Sequence, residues 1–177
     1  MFGPEIDADD SVFVHETALV YGRVRLAEDV SIWPYVVIRS ELHEVCIGAR
    51  TNVQDFVLIH IGFDHPVLIG EDCSITHHAT LHGCTIGDRT LVGINATVMD
   101  GVTVGANSVI AGHAILPENA TYPNNSIIAG VPGKVVATRD CGESNLVNAR
   151  FYRQNARNYR IGQHRFSERD IAAFKAS

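Results

Sequence analysis

Between residues 12 and 110, aliphatic and small side chains return at every sixth position. The row begins Val12, Ala18, Val24, Val30 and Val36. It resumes at Ile47, Val53 and Ile59, and again at Ile69, Ile75 and Leu81. After a step one residue short it continues as Ile86, Val92, Val98, Val104 and Ile110. Glycine directly follows the aliphatic residue at Gly48, Gly70, Gly87, Gly93 and Gly105, and small residues fall four positions after it at Thr51, Cys73, Ala79, Thr90, Ala96 and Ser108. A period of six contains a whole number of two-residue strand repeats and does not match the 3.6-residue helix. One short strand and one tight turn per hexad fit it, with Gly or Asn relieving the turn. Three hexads then close a triangular coil, and coils stack at the strand spacing of about 4.8 Å. The aliphatic rows fill the interior, so the pattern predicts an all-β, parallel β-helix of hexapeptide repeats. A β-sandwich would have to produce the same spacing by chance.

Two interruptions break the row. Counting from Val36 to Ile47 implies five inserted residues around Glu41 to Val45, and from Ile59 to Ile69 four around Gly62 to His65. Such insertions become loops on one edge, where binding faces tend to form. Beyond Ile110, Pro117, Pro123 and Pro132 predict irregular turns. From about Ser144 the texture changes: Val147, Phe151, Tyr152, Asn155 and Tyr159 suit one face of a helix, with Arg150, Arg153, Arg157 and Arg160 around it. Ser167 followed by Asp170 predicts the cap of a short last helix carrying Ile171 and Phe174, with a frayed tail over residues 175–177. The expected organisation is a β-helix over residues 1–143 and a C-terminal α-helical segment, residues 144–177, packed on it.

Composition narrows the partners. The net charge of −6, from 14 basic and 20 acidic residues, argues against nucleic acid and against an anionic membrane surface. No apolar run is long enough to span a bilayer, and the acidic first ten residues lack a secretory pattern, so a cytoplasmic protein is expected. The four cysteines, Cys46, Cys73, Cys84 and Cys141, form no CxxC pair and read as reduced packing residues rather than disulfides.

Of the nine histidines, three have a geometry that can be computed from the repeat. His60 follows Ile59 and His82 follows Leu81, 22 residues apart, which is one coil of 18 plus the inserted four. They therefore share an edge on adjacent coils, close enough to hold one zinc ion. His77 falls one hexad earlier, on a different face of the prism. A third ligand from the same chain would have to cross the core, whereas a neighbouring chain supplies it if three prisms pack around a threefold axis. Three histidines and an open position form a catalytic zinc arrangement; solvated surface histidines are the alternative. The same register places Asp55 beside His77, where it can take the free ring N–H, and Gln54 beside Thr76.

The segments Arg39-Ser40-Glu41, residues 47–55 (IGARTNVQD), Ile59-His60 and residues 81–87 (LHGCTIG) resemble the gamma-class carbonic anhydrase-like family, over most of residues 10–140. The resemblance implies a left-handed β-helix, a homotrimer and a metal held between subunits by His60, His77 and His82. It implies Zn2+, with Fe2+ or Co2+ as other occupants, and reversible hydration of CO2 to bicarbonate by metal-activated water. It further assigns Gln54 as the active-site glutamine, Arg39 and Asp55 as an intersubunit pair, Asn52 as the family's asparagine, and Tyr159 as an active-site tyrosine by a loose alignment. The chain departs from the family at Ser40 and Glu41, where the family often reads Gly-Asp, at Thr76 and His78 beside His77, and in a short loop after His60. That loop offers Asp64 and His65, the latter either a proton relay or a plain loop residue beside Pro66.

Two other functions fit the same repeat. One is a coenzyme A-dependent acyltransferase, suggested by residues 129–134 (AGVPGK), with His113 as general base. The other is a non-catalytic trimeric metal-binding protein.

Overall fold

The computed structural model describes residues 5–175, so the end of the expected frayed tail, residues 176–177, lies outside it, as do residues 1–4. The chain winds as a left-handed parallel β-helix of hexapeptide repeats. Each of three flat faces is centred on one inward residue per coil. Face A stacks Val20, Ile38, Ile59, Leu81, Val98 and Leu116. Face B stacks Leu26, Ile47, Ile69, Ile86, Val104 and Tyr122. Face C stacks Val14, Ile32, Val53, Ile75, Val92, Ile110 and Ile128. These side chains form a single core, and most are fully buried. Backbone bonds run from coil to coil, as in Ser31 N–H to Thr51 O, Asn52 N–H to Cys73 O and Ser74 N–H to Thr90 O.

The expected row is corrected at its start. Val12, Ala18, Val24, Val30 and Val36 do not continue the row of Ile47 and Val53. They belong to the second inward row, two positions before the face centre, in the phase of Thr51, Cys73 and Ala79. Both rows are buried, with Ala18, Val30 and Val36 fully enclosed, and in the first coils both are aliphatic. Spacing alone therefore cannot tell them apart there. The first insertion is three residues rather than five: Gly22 pairs with Ser40 while Val24 pairs with Val45.

The turns also divide their labour differently from the expectation. The left-handed residue sits three positions after the aliphatic one, as at Arg50, Asp72, Arg89, Asn95, Asn107 and His113. Asparagine tolerates that conformation through its short polar side chain. The glycine directly after the aliphatic residue serves a different need. A Cβ on Gly93 would lie 2.5 Å from Gly112 N, and one on Gly105 2.4 Å from Asn124 N, because the next coil's backbone occupies that space.

The last coil is closed by an antiparallel pairing of Ser126–Ala129 with Lys134–Thr138 and by the Tyr122 hydroxyl, which donates to Gly133 O at 2.9 Å. The chain then enters α1 (Gly142–Arg160) and α2 (Glu168–Lys175). Helix α1 runs back along face C. Asn145 donates to Arg89 O and Ser108 O near the later coils, and Arg160 donates to Asp10 O and Val12 O at the first. Tyr152 and Tyr159 pack edge-on against Trp33. At α2, the Asp170 N–H donates to Ser167 Oγ and the Ser167 N–H to Asp170 Oδ2, the reciprocal cap expected from the sequence. No helix among the described residues is long and apolar enough to cross a membrane. The four cysteines form no disulfide.

The two turn positions make opposite demands. Gly93→Ala should destabilise the fold by about 1–3 kcal/mol, because a Cβ forces the backbones of two coils apart. Asn95→Gly should stay within about 0.5 kcal/mol of the parent, since glycine adopts the left-handed turn without strain. Chemical denaturation of both variants measures this; equal losses would contradict the division of roles.

Candidate metal centre

The corner between faces A and B gathers most of the candidate chemistry. Arg39, His60 and His82 pair in register on three successive coils. The His60 Nδ1 lies 3.0 Å from His82 Nε2. On one side Glu41 bridges, accepting from Arg39 at 2.6 Å and meeting His60 Nε2 at 3.1 Å. On the other, Asp100 binds His82 Nδ1 through a short hydrogen bond. A cleft of about 310 Å³ opens at this corner, and Leu42 and Phe63, the exposed tips of the two insertions, flank it. His43 Nε2 donates to Phe63 O at 3.0 Å and so joins the two loops.

Asp100 was not anticipated, although its signal is in the sequence. Gly101 N–H donates to Gly83 O, so the residues before them, Asp100 and His82, stack 18 positions apart. Glycines clear the space it occupies: a Cβ on Gly83 would lie 2.5 Å from Asp100 Oδ1, and one on Gly62 2.7 Å from it.

His77 stands at a different corner, between faces C and A. Its Nδ1 is 3.1 Å from Asp55 Oδ2, and the adjoining His78 N–H donates to Asp55 O. The remaining His77 nitrogen, Nε2, faces the Tyr152 hydroxyl at 3.4 Å. Burial, with the Asp55 charge and Tyr159 adding to it, pushes the Tyr152 phenol up to about 12, so it is neutral and a donor near pH 7. Tyr159 lies seven residues, two helical turns or about 10 Å, further along the same face of α1. It packs against Phe13, Trp33 and His164 instead. Tyr159 therefore makes no contact with His77 within one chain, and Tyr152 is the tyrosine of α1 that reaches it.

Behind His77 runs a buried amide chain. Gln54, 2% exposed, donates to Asn52 Oδ1 at 2.9 Å, and Asn52 donates to Ser74 Oγ at 2.9 Å and to Cys73 O at 3.2 Å. Strand register fixes this chain, because Asn52 pairs with Ser74 and Val53 with Ile75.

Among the described residues no group of three His, Cys, Asp or Glu side chains converges within one chain. The three expected ligands are divided two and one between corners. The His60–His82 pair nevertheless fits a tetrahedral metal ion. Two zinc–nitrogen bonds of about 2.0–2.1 Å at that angle place their nitrogens about 3.3 Å apart, near the 3.0 Å seen here. Asp100 and Asp55 hold the Nδ1 atoms of His82 and His77, which fixes each ring's orientation and leaves Nε2 for a ligand bond.

This fold defines a hexapeptide-repeat protein that carries a histidine pair on one edge. A sequence profile described as "Bacterial transferase hexapeptide (six repeats)" matches residues 83–118. The chain is 47% identical over 126 residues to a probable carbonic anhydrase of Methanocaldococcus jannaschii, covering 71% of this chain and 79% of that one. It is 40% identical over 98 residues to the mitochondrial gamma carbonic anhydrase 1 of Arabidopsis thaliana, covering 52% of this chain and 36% of the plant protein. The chain belongs to the gamma carbonic anhydrase-like family. It spans about half the length of the first curated relatives it matches. Its fold is also that of a putative acetyltransferase of Bacillus cereus, at TM-score 0.86 and 26% identity over 89% of this chain and 93% of that one.

Asn52→Ala removes the acceptor of a buried amide. It should lower stability by about 1–3 kcal/mol, whereas the exposed Asn95→Gly, which keeps the left-handed turn unstrained, should cost less. Equal effects in urea denaturation would show that the Gln54–Asn52–Ser74 chain contributes nothing.

Proposed function

We propose that this protein is a carbonic anhydrase-like metalloenzyme that hydrates CO2 to bicarbonate at a site shared between the subunits of a homotrimer. The observation that carries the reading is the division of the histidines. The pair His60 and His82, backed by Asp100, sits at one corner, while His77, backed by Asp55 and with its Nε2 3.4 Å from the Tyr152 hydroxyl, sits at another. A second copy bringing its His77 corner against this His60–His82 corner completes a three-histidine set, and a third copy closes the ring. The named relatives in Methanocaldococcus jannaschii and Arabidopsis thaliana support the same chemistry.

His60, His82 and the neighbouring chain's copy of His77 would hold Zn2+, Fe2+ or Co2+. When bound, such an ion acts as a Lewis acid that makes water nucleophilic near neutral pH, as hydration of CO2 requires. The protein's own groups orient and desolvate the reactants. Gln54 donates its amide to Asn52, which leaves its carboxamide oxygen as the group that would accept a hydrogen bond from water. Tyr152 stays protonated next to His77. Arg39 and Glu41 neutralise each other at the cleft rim and leave its middle to a neutral gas molecule. Hydration releases one proton per bicarbonate. His65, which lies against Gly101 next to Asp100, would be the relay that takes that proton to solvent.

Acyl transfer is favoured by one observation, the shared fold with the putative acetyltransferase of Bacillus cereus. His113 is exposed in a left-handed turn and reaches Asn95 Nδ2 only at 3.5 Å, with no carboxylate to orient it among the described residues. That is a weak setting for a general base. The trimeric scaffold without catalysis would keep the metal and lose hydration.

Metal-loaded protein, purified without oxygen, should accelerate CO2 hydration in a stopped-flow pH assay, and a chelator should abolish the rate. Acetyl transfer from acetyl-coenzyme A that persists in chelator would overturn the reading in favour of the transferase, and full metal occupancy without hydration would leave the scaffold. Asp100→Asn should reduce metal affinity about 10–100-fold with an unchanged circular dichroism spectrum; unaltered affinity would show that His82 needs no carboxylate behind it.

A further inference from the structure

Three arginines of α1, Arg153, Arg157 and Arg160, follow one another at spacings of four and three and so share one helix face. They line a cavity of about 250 Å³ between the helix and the first coils, together with Ser11 and Asp29. Asp29 is the one carboxylate in this lining. Arg157 takes it at 2.9 Å, and Arg160 turns to the carbonyls of Asp10 and Val12 at 3.0 and 2.7 Å. Those two arginines fasten the helix to the prism. Arg153 is different: its contact with Asp29 is 4.0 Å, beyond hydrogen-bond length, and its side chain is 33% exposed. Among the described residues its guanidinium has this long ion-pair contact and no hydrogen bond, in a protein whose overall charge is −6. A guanidinium beside two others, facing one carboxylate, leaves surplus positive charge that an oxyanion can meet with paired N–H···O bonds.

From this geometry we infer a second ligand site, for a small tetrahedral dianion of the phosphate class. It is held by Arg153 and Arg157 in the cavity between α1 and the first coils. The site is separate from the histidine corners, and its argument does not depend on carbonic anhydrase activity. It is connected to them mechanically, because Tyr152, the residue before Arg153, is the one that reaches His77. An anion bridging Arg153 to the first coil stiffens the stretch of helix that positions that hydroxyl.

The test is isothermal titration of the metal-loaded full-length protein with inorganic phosphate, in a zwitterionic buffer at low ionic strength, with sulfate, bicarbonate and chloride in parallel. Phosphate and sulfate should bind with affinity that falls as NaCl is added, and bicarbonate and chloride should bind more weakly. Phosphate and sulfate binding alike defines a tetrahedral-dianion site, and bicarbonate or chloride binding as tightly as phosphate overturns it. Arg153→Gln should weaken phosphate at least about tenfold while leaving the melting temperature without phosphate unchanged, because Arg157 and Arg160 still fasten α1. Phosphate that coordinates the metal would be insensitive to this change. Undiminished binding in Arg153→Gln, or no binding by the parent at millimolar phosphate, overturns the inference.

Discussion

The coil-to-coil backbone ladder is the constraint on which the rest of the structure depends. It repeats at about 4.8 Å and ties each residue to one directly above it. A side chain placed once becomes a column. Inward columns give the aliphatic core, and corner columns give functional sets. His60 and His82 meet because the ladder pairs them, and Asp55 reaches His77 for the same reason. The ladder also explains why the glycines after the aliphatic residues cannot be replaced without displacing a neighbour. The next coil's backbone lies within 2.6 Å of where a Cβ on Gly48, Gly87, Gly93 or Gly105 would stand.

Insertions modify the ladder without breaking it. Three residues after Ser40 and four after Ile61 leave at the same edge and rejoin in register. They build the walls of the cleft beside the histidines, with Leu42 and Phe63 at its mouth. The prism thus keeps its core while one corner gains depth. The helix that returns along face C adds what the coils lack at the other corner, a hydroxyl donor on His77.

Much of this was legible in the sequence, because a period of six has one economical three-dimensional solution. The faces, the His60–His82 stack, the Asp55–His77 register and the capped last helix all follow from counting. Spacing does not separate two rows that are chemically alike: in the first coils Val30 and Ile32 both point inward, which shifts the apparent phase of the row and lengthens the apparent first insertion. Asp100 stands 18 positions after His82, and Gly83 and Gly101 mark the same corner, but a single aspartate in a hexad carries no signal of its own. Tyr152 and Tyr159 lie on one helix face, so periodicity does not distinguish them, and only the packed helix shows that Tyr152 reaches His77 while Tyr159 packs on Trp33.

The central claim is that a complete metal site needs two chains. It is tested most directly by co-refolding a His60→Ala/His82→Ala chain with a His77→Ala chain, isolating trimers that contain both, and measuring bound metal. Neither homotrimer has an intact site. In a mixed trimer one interface faces an intact His60–His82 pair with an intact His77, one joins the two damaged halves, and the third joins like chains. The account predicts one metal per mixed trimer, a third of the parent's content. Verified mixed trimers that bind no metal would mean that the three histidines do not act across a subunit boundary.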